Sequence, residues 1–274
     1  MILRNWMPLA LVASVCLMTG TAAAQSEDAD NEKPHASKSS QSASAEDDWQ
    51  VMAGLGVGIA PEYRGADSYA AIPLPYFSVS KGRFFADILR GIGWKVIQTE
   101  NWTLAPTISY ARGRDNEGAI SAFDDVSDSA MAGVLLNWQS GHWELDSDLA
   151  TPVTGDLEGW RLRSYVRYRA RITERLSYAI GPGATWADSD WNDSLYGVSA
   201  ADAARSGLDA YRADDSHFRT SLNGRLSYYL TRKLNVSLIA RYSRLYGDAA
   251  DSPIVKDVGD ANQLFGSVLA TYKF

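Results

Sequence analysis

From Trp49 onward, apolar side chains recur at every second position, and the last such run does not break before the chain stops. Tyr272, Ala270, Val268, Gly266 and Leu264 share a face with Phe274. Lys273, Thr271, Leu269, Ser267, Phe265 and Gln263 fall between them. A period of two is the mark of strands with unlike faces. A last strand that closes on an aromatic residue is how bacterial outer-membrane barrels finish. Phe274 with Tyr272 is therefore the expected assembly signal, met by the barrel-assembly machinery during insertion. No later stretch approaches the ~18 unbroken apolar residues of a spanning helix, so a membrane crossing has to be made by strands.

The N-terminus supports export. Arg4 precedes an apolar stretch from about Trp6 to Met18, and Ala22, Ala23 and Ala24 form a small-residue cleavage site. This predicts a signal peptide over 1–24. Cys16, the only cysteine, leaves with it, and disulfides, zinc–cysteine sites and cysteine nucleophiles are excluded from the mature chain. Residues 25–48 hold no large apolar side chain and are dense in Ser, Asp and Glu, which predicts a disordered acidic periplasmic segment. His35 lies in it. The net charge of −7 argues against a nucleic-acid partner.

The remainder, 49–274, reads as an all-β, transmembrane, antiparallel up-and-down β-barrel of about 12 strands. After the strand at Trp49–Ile59, strands are expected near 71–80, 82–89, 91–98, 101–112, 129–140, 142–151, 159–172, 175–187, 217–230, 233–246 and 262–274. Pro73 and Pro75 mark an irregular or edge-like stretch. Short links alternate with longer ones near 60–70, 113–128, 152–158, 188–216 and 247–261, the pattern of periplasmic turns and outer loops; one short link, Arg90–Gly91, breaks the rule. An even strand count puts both mature termini in the periplasm. One short helix is expected in an outer loop, from Ser199 as cap, with Asp202 three residues on, to Gly207 as stop.

Alternation alone fits a soluble sandwich as well as a membrane barrel. The strand at 159–172 separates them. Arg161, Arg163, Arg167, Arg169 and Arg171 share one face with Tyr165. Facing lipid, each arginine would cost ~2–4 kcal/mol at the midplane, so in a barrel they point into the lumen. Glu144, Asp146 and Asp148 share a face of the preceding strand and supply counter-charges. A hairpin folding about 154–155 would set Asp148 across from Arg161 and Asp146 across from Arg163, with Glu144 diagonal to Arg167. The apolar faces carry Trp49, Trp94, Trp102, Trp138, Trp143, Trp160, Trp186 and Tyr272 near strand ends, as membrane interfaces favour.

Three stretches resemble the MipA/OmpV family of outer-membrane proteins, the MltA-interacting proteins. The first is Gly54-Leu55-Gly56-Val57-Gly58, followed by Pro61 to Asp67 and Pro73-Leu74-Pro75. The second is Tyr196 to Ser199, continuing through Ala204 to Leu208 and Tyr211. The third is Tyr242 to Leu245, then Gly247 to Val255. The resemblance implies an outer-membrane β-barrel in contact with lipid and lipopolysaccharide. More loosely, it implies an adaptor to the murein machinery, whose partners are a lytic transglycosylase and a bifunctional penicillin-binding protein. It brings no catalytic residues and no cofactor.

A non-enzymatic scaffold is therefore the expected function. The alternatives are a narrow channel for small solutes, or a surface adhesin or stress-response protein. Catalysis has little to stand on: His142 and His217 fall on predicted lumen faces, and neither G-x-S-x-G nor H-E-x-x-H occurs. Asp248, Asp251, Asp257 and Asp260 share one outer loop, and carboxylates suit calcium or magnesium, but their spacing fits no EF-hand; turn capping by Asp248 and Asp251 is the expectation, a lipopolysaccharide-bridging cation the alternative, and no metal site is assigned.

Overall fold

In a computed structural model, residues 48–274 are described; the expected signal peptide and nearly all of the acidic segment lie outside them. Thirteen antiparallel strands follow one another: β1 Gln50–Pro61, β2 Tyr69–Lys81, β3 Phe84–Asp87, β4 Gly91–Trp94, β5 Ile97–Gln98, β6 Trp102–Ala111, β7 Ser129–Ser140, β8 Trp143–Pro152, β9 Arg161–Arg171, β10 Leu176–Ala187, β11 His217–Tyr229, β12 Leu234–Tyr246 and β13 Asn262–Lys273. β1 pairs with both β2 and β13, and β4 reaches past β5 to pair with β6. The ring closes with twelve strands, and β5 hangs on β6 as an extra one.

The stretch expected as one strand at 91–98 splits because its partner changes. Lys95 N–H donates to Arg83 O beside β3, whereas Val96 N–H donates to Leu104 O of β6. The Gly54, Gly56, Gly58 alternation has a steric cause. A Cβ at these positions would sit 2.6, 2.4 and 3.0 Å from the Ala270, Val268 and Gly266 carbonyl oxygens of β13.

β3 and β4 are short, and their hairpin reaches only partway up the wall. Ile88 N–H bonds Phe77 O at 3.1 Å, and Ile92 and Gly93 meet Ile108 and Thr107. Above that level β2 continues to Tyr69, paired with β1 on one side and, among the described residues, with no strand on the other. The wall is notched there. Because the Phe77 carbonyl points to β3, the polar groups of Pro73 and Pro75, at the same parity, point into the notch. Proline has no N–H, so two edge donors are absent.

The outer surface is apolar along the strands: Leu55, Val57, Ile59, Phe77, Ile108, Val166, Leu222, Leu238, Leu264 and Val268 are all exposed. Trp94, which a soluble sandwich would bury, is 54% exposed. Aromatic rings gather at strand ends, with Trp102 on Trp138 and Trp143 edge-on to Tyr168. Among the described residues no helix is long and apolar enough to cross a membrane. The strands do the crossing.

Candidate functional site

One end of the ring carries the short turns, the start of β1 and the end of β13. At the other end the five connections 62–68, 112–128, 153–160, 188–216 and 247–261 fold together. Each gives buried apolar side chains to one cluster: Tyr63, Ile120 and Phe123, Leu157, Trp191 with Leu195 and Tyr196, and Ile254 with Val255. Burying a side chain of this size contributes ~1.5–3 kcal/mol. The acidic composition of the loops concealed this core, which forms a plug over the mouth.

Polar contacts tie the loops to each other. Tyr63 Oη donates to the Val258 carbonyl at 3.0 Å, and Ser252 Oγ to the Tyr196 carbonyl at 2.6 Å. Arg114 Nη1 donates to the carbonyls of Leu195 and Gly197, both at 3.1 Å. The expected helix is present as Ala200–Ser206: Ser199 Oγ accepts from Asp202 N–H at 3.1 Å, and Gly207 stops it at φ 80°. It is not the only one. Helices also form at Ser189–Tyr196, Asp248–Asp251 and Pro253–Lys256. Asp188 capping Trp191 N–H and Pro253 at a first turn were the available signals.

Below the plug lies the charged wall of β8 and β9. Its register differs from the expected one by two residues: Asp148 faces Arg163, Asp146 faces Tyr165 and Glu144 faces Arg167. The cause is the loop. Thr154 Oγ1 accepts from Ala130 N–H and Asp188 Oδ2 from Trp160 N–H, so neighbouring segments shape the 153–160 connection and it does not turn tightly about 154–155. Side-chain parity is unchanged, so the same groups still face inward.

Asp148 accepts from Arg163 Nε at 2.7 Å and lies 3.5 Å from Arg161. Glu144, 1% exposed, lies 3.5 Å from both Arg167 and Arg169 and accepts from Asn137 at 3.1 Å. Arg171 is exposed at the short-turn end, away from these pairs. Arg90 was not foreseen: the β3–β4 link sends it inward to Asp146 at 2.8 Å. Its position in a two-strand link was the only cue.

Not all of the lumen is polar. Tyr76, Ile239, Phe265 and Leu269 form an inward cluster on β2, β12 and β13, with Ile72, Leu74 and Leu89 beside it. Alternation hid these residues, because both faces of β13 are partly apolar.

His217 is buried edge-on to Tyr196, whereas His142 sits in an exposed turn with Nδ1 2.8 Å from the Arg169 carbonyl, outside the lumen where its parity had placed it. Asp248 and Asp260 accept from Asp215 and Asn262 N–H groups. Among the described residues no three metal-ligating side chains converge. Phe274, packed on Tyr272 at 5.0 Å, ends the chain just past β13.

A closed antiparallel ring, greasy outside and salt-bridged inside, defines a β-barrel of the outer-membrane type. The chain belongs to the family described as MltA-interacting protein MipA, whose model matches residues 53–274. It is 28% identical over 226 residues to the MltA-interacting protein of Escherichia coli K12, covering 78% of this chain and 86% of that one. Over 210 residues it is 28% identical to the putative outer membrane protein YiaT of the same organism, covering 74% and 81%. Among solved structures, the NanC porin aligns at a TM-score of 0.40 and 9% identity, covering 83% of this chain and all of that one. OmpT of Vibrio cholerae, lacking its loop L8, aligns at 0.40 and 5%, covering 83% and 98%.

Proposed function

We propose that this barrel is a non-enzymatic scaffold that holds a murein-cleaving lytic transglycosylase, and with it a bifunctional penicillin-binding protein, at the inner surface of the outer membrane. Similarity to an MltA-interacting protein along most of both chains carries this proposal. The plug and the paired charges inside the ring favour a scaffold over a channel, because they leave little free path for solute. In this proposal the short-turn end faces the periplasm, so both ends of the mature chain lie there, and the turns Gly141–His142 and 172–175 offer contact surface. The barrel-assembly machinery recognises Tyr272 and Phe274.

Photocrosslinking in intact envelopes tests the idea, with probes at Gly141 and Glu174 and with or without residues 25–48. Capture of a lytic transglycosylase from the turn positions is the expected result. Envelopes in which neither form captures any murein enzyme would remove the scaffold.

A further inference from the structure

A cavity of about 90 Å³ lies between the plug and the lumen. That is well above the ~10–15 Å³ a single water needs. Arg64, Arg112, Arg114, Arg219 and Arg241 line it, against only Glu62 and Asp115. The imbalance is local, since the chain as a whole carries −7. It also contrasts with the wall of β8 and β9, where each carboxylate meets arginines.

One of the two acids is already paired with an arginine. Asp115 is bridged to Arg112, and Glu62 accepts from Ser68 Oγ at 2.6 Å. Arg64 and Arg219 reach only neutral acceptors: Arg64 donates to the Arg112 carbonyl at 3.0 Å and Arg219 to Thr185 Oγ1 at 3.3 Å. Neither makes a salt bridge among the described residues. Burial pushes the Arg64 guanidinium down to about 10; Tyr196 acts upward, the neighbouring Arg219, Arg112 and Arg163 charges act downward, and the group stays protonated at neutral pH. Like charges gathered away from bulk water are destabilising unless a counter-charge joins them.

We infer that this cavity is a binding site for an oxyanion, a phosphate or carboxylate group, with Arg64 and Arg219 as its principal donors. A guanidinium fork suits two oxygens of such a group. The anion has two sources of the same chemistry. One is a free ion in the lumen; the other is the headgroup of an anionic lipid entering through the notch between β2 and β6. The second is open because the loops 62–68 and 112–128, which follow β1 and β6 and flank the notch, both line the cavity.

The test uses the barrel in phosphatidylcholine nanodiscs at low ionic strength. Equilibrium dialysis against labelled inorganic phosphate probes the free ion. Native mass spectrometry from discs doped with phosphatidic acid probes the headgroup. Saturable binding of one equivalent of either probe is expected, weakened at least ~10-fold in R64Q/R219Q and only partly restored in R64K/R219K, which keeps the charge but loses the fork. Phosphate binding assigns the free ion; retention of phosphatidic acid alone assigns the lipid. The heat-shifted gel mobility of a folded barrel is checked for each variant, and if the double variant fails to fold, R219Q alone is read for the same loss. The inference is overturned if neither probe binds the wild-type chain saturably, or if the glutamine variants bind as tightly as wild type.

Discussion

Asp148 shows how a single side chain is held in this lumen. Two guanidiniums, at 2.7 and 3.5 Å, surround one carboxylate in a mostly buried setting. Removing Asp148 takes a shared counter-charge from both guanidiniums, so Asp148→Ala should lower unfolding stability by ~1–3 kcal/mol. Urea titration in vesicles, followed by tryptophan fluorescence, reads that loss; an unchanged midpoint would mean that lumen water already screens the pair. The partners were legible in the sequence, because period two put three acids and five arginines on facing sides of consecutive strands. Which acid met which arginine was not. Register depends on where the 153–160 loop turns, and contacts from Ala130 and Asp188, distant in sequence, decide that.

At the level of elements, the long strands were readable to within a few residues because their apolar parity is unbroken. The plug was not, since its helices run only four to eight residues and bury isolated side chains such as Trp191 among many aspartates. Asp202 is one of its fasteners: it accepts from Asp124 N–H, Ser199 Oγ and Arg205. Although burial acts upward, these bonds and the Arg205 charge hold its carboxyl below the ordinary carboxylate value. The stabilisation is therefore complete above the unfolded value of ~4 and is lost as pH falls through the depressed one. Limited proteolysis of the 188–216 loop should accelerate below about pH 4, and Asp202→Asn should abolish most of that pH dependence. A cleavage rate flat across the acid range, or an equal dependence in the variant, would exclude Asp202 as a fastener.

The notched edge of β2 makes a separate prediction. Pro73→Thr with Pro75→Thr puts back two N–H groups that have no partner in the wall. In hydrocarbon that is costly, so stability should fall by more than the ~1 kcal/mol per site that lost proline rigidity alone explains. A smaller change would show that the edge is already hydrated or covered. The two prolines announced an edge in the sequence; that β3 and β4 stop short of it did not show.

At the scale of the whole molecule, the described residues form a twelve-strand ring with one extra strand, sealed at one end by its own loops and braced across by ion pairs. Parity along the strands made this architecture legible. The inner apolar patch at Phe265 and Leu269 and the arginine cavity were not, because both depend on which strands become neighbours when the ring closes. Everything rests on which side of each strand meets acyl chains. Spin labels at single cysteines from position 264 to 272 on β13, with Cys16→Ser, measure that side directly through collision with membrane-dissolved oxygen. Collision should peak at 264, 266, 268, 270 and 272 and fall at 265, 267, 269 and 271. The opposite phase, or no alternation at all, would contradict the barrel's orientation and every inference drawn from it.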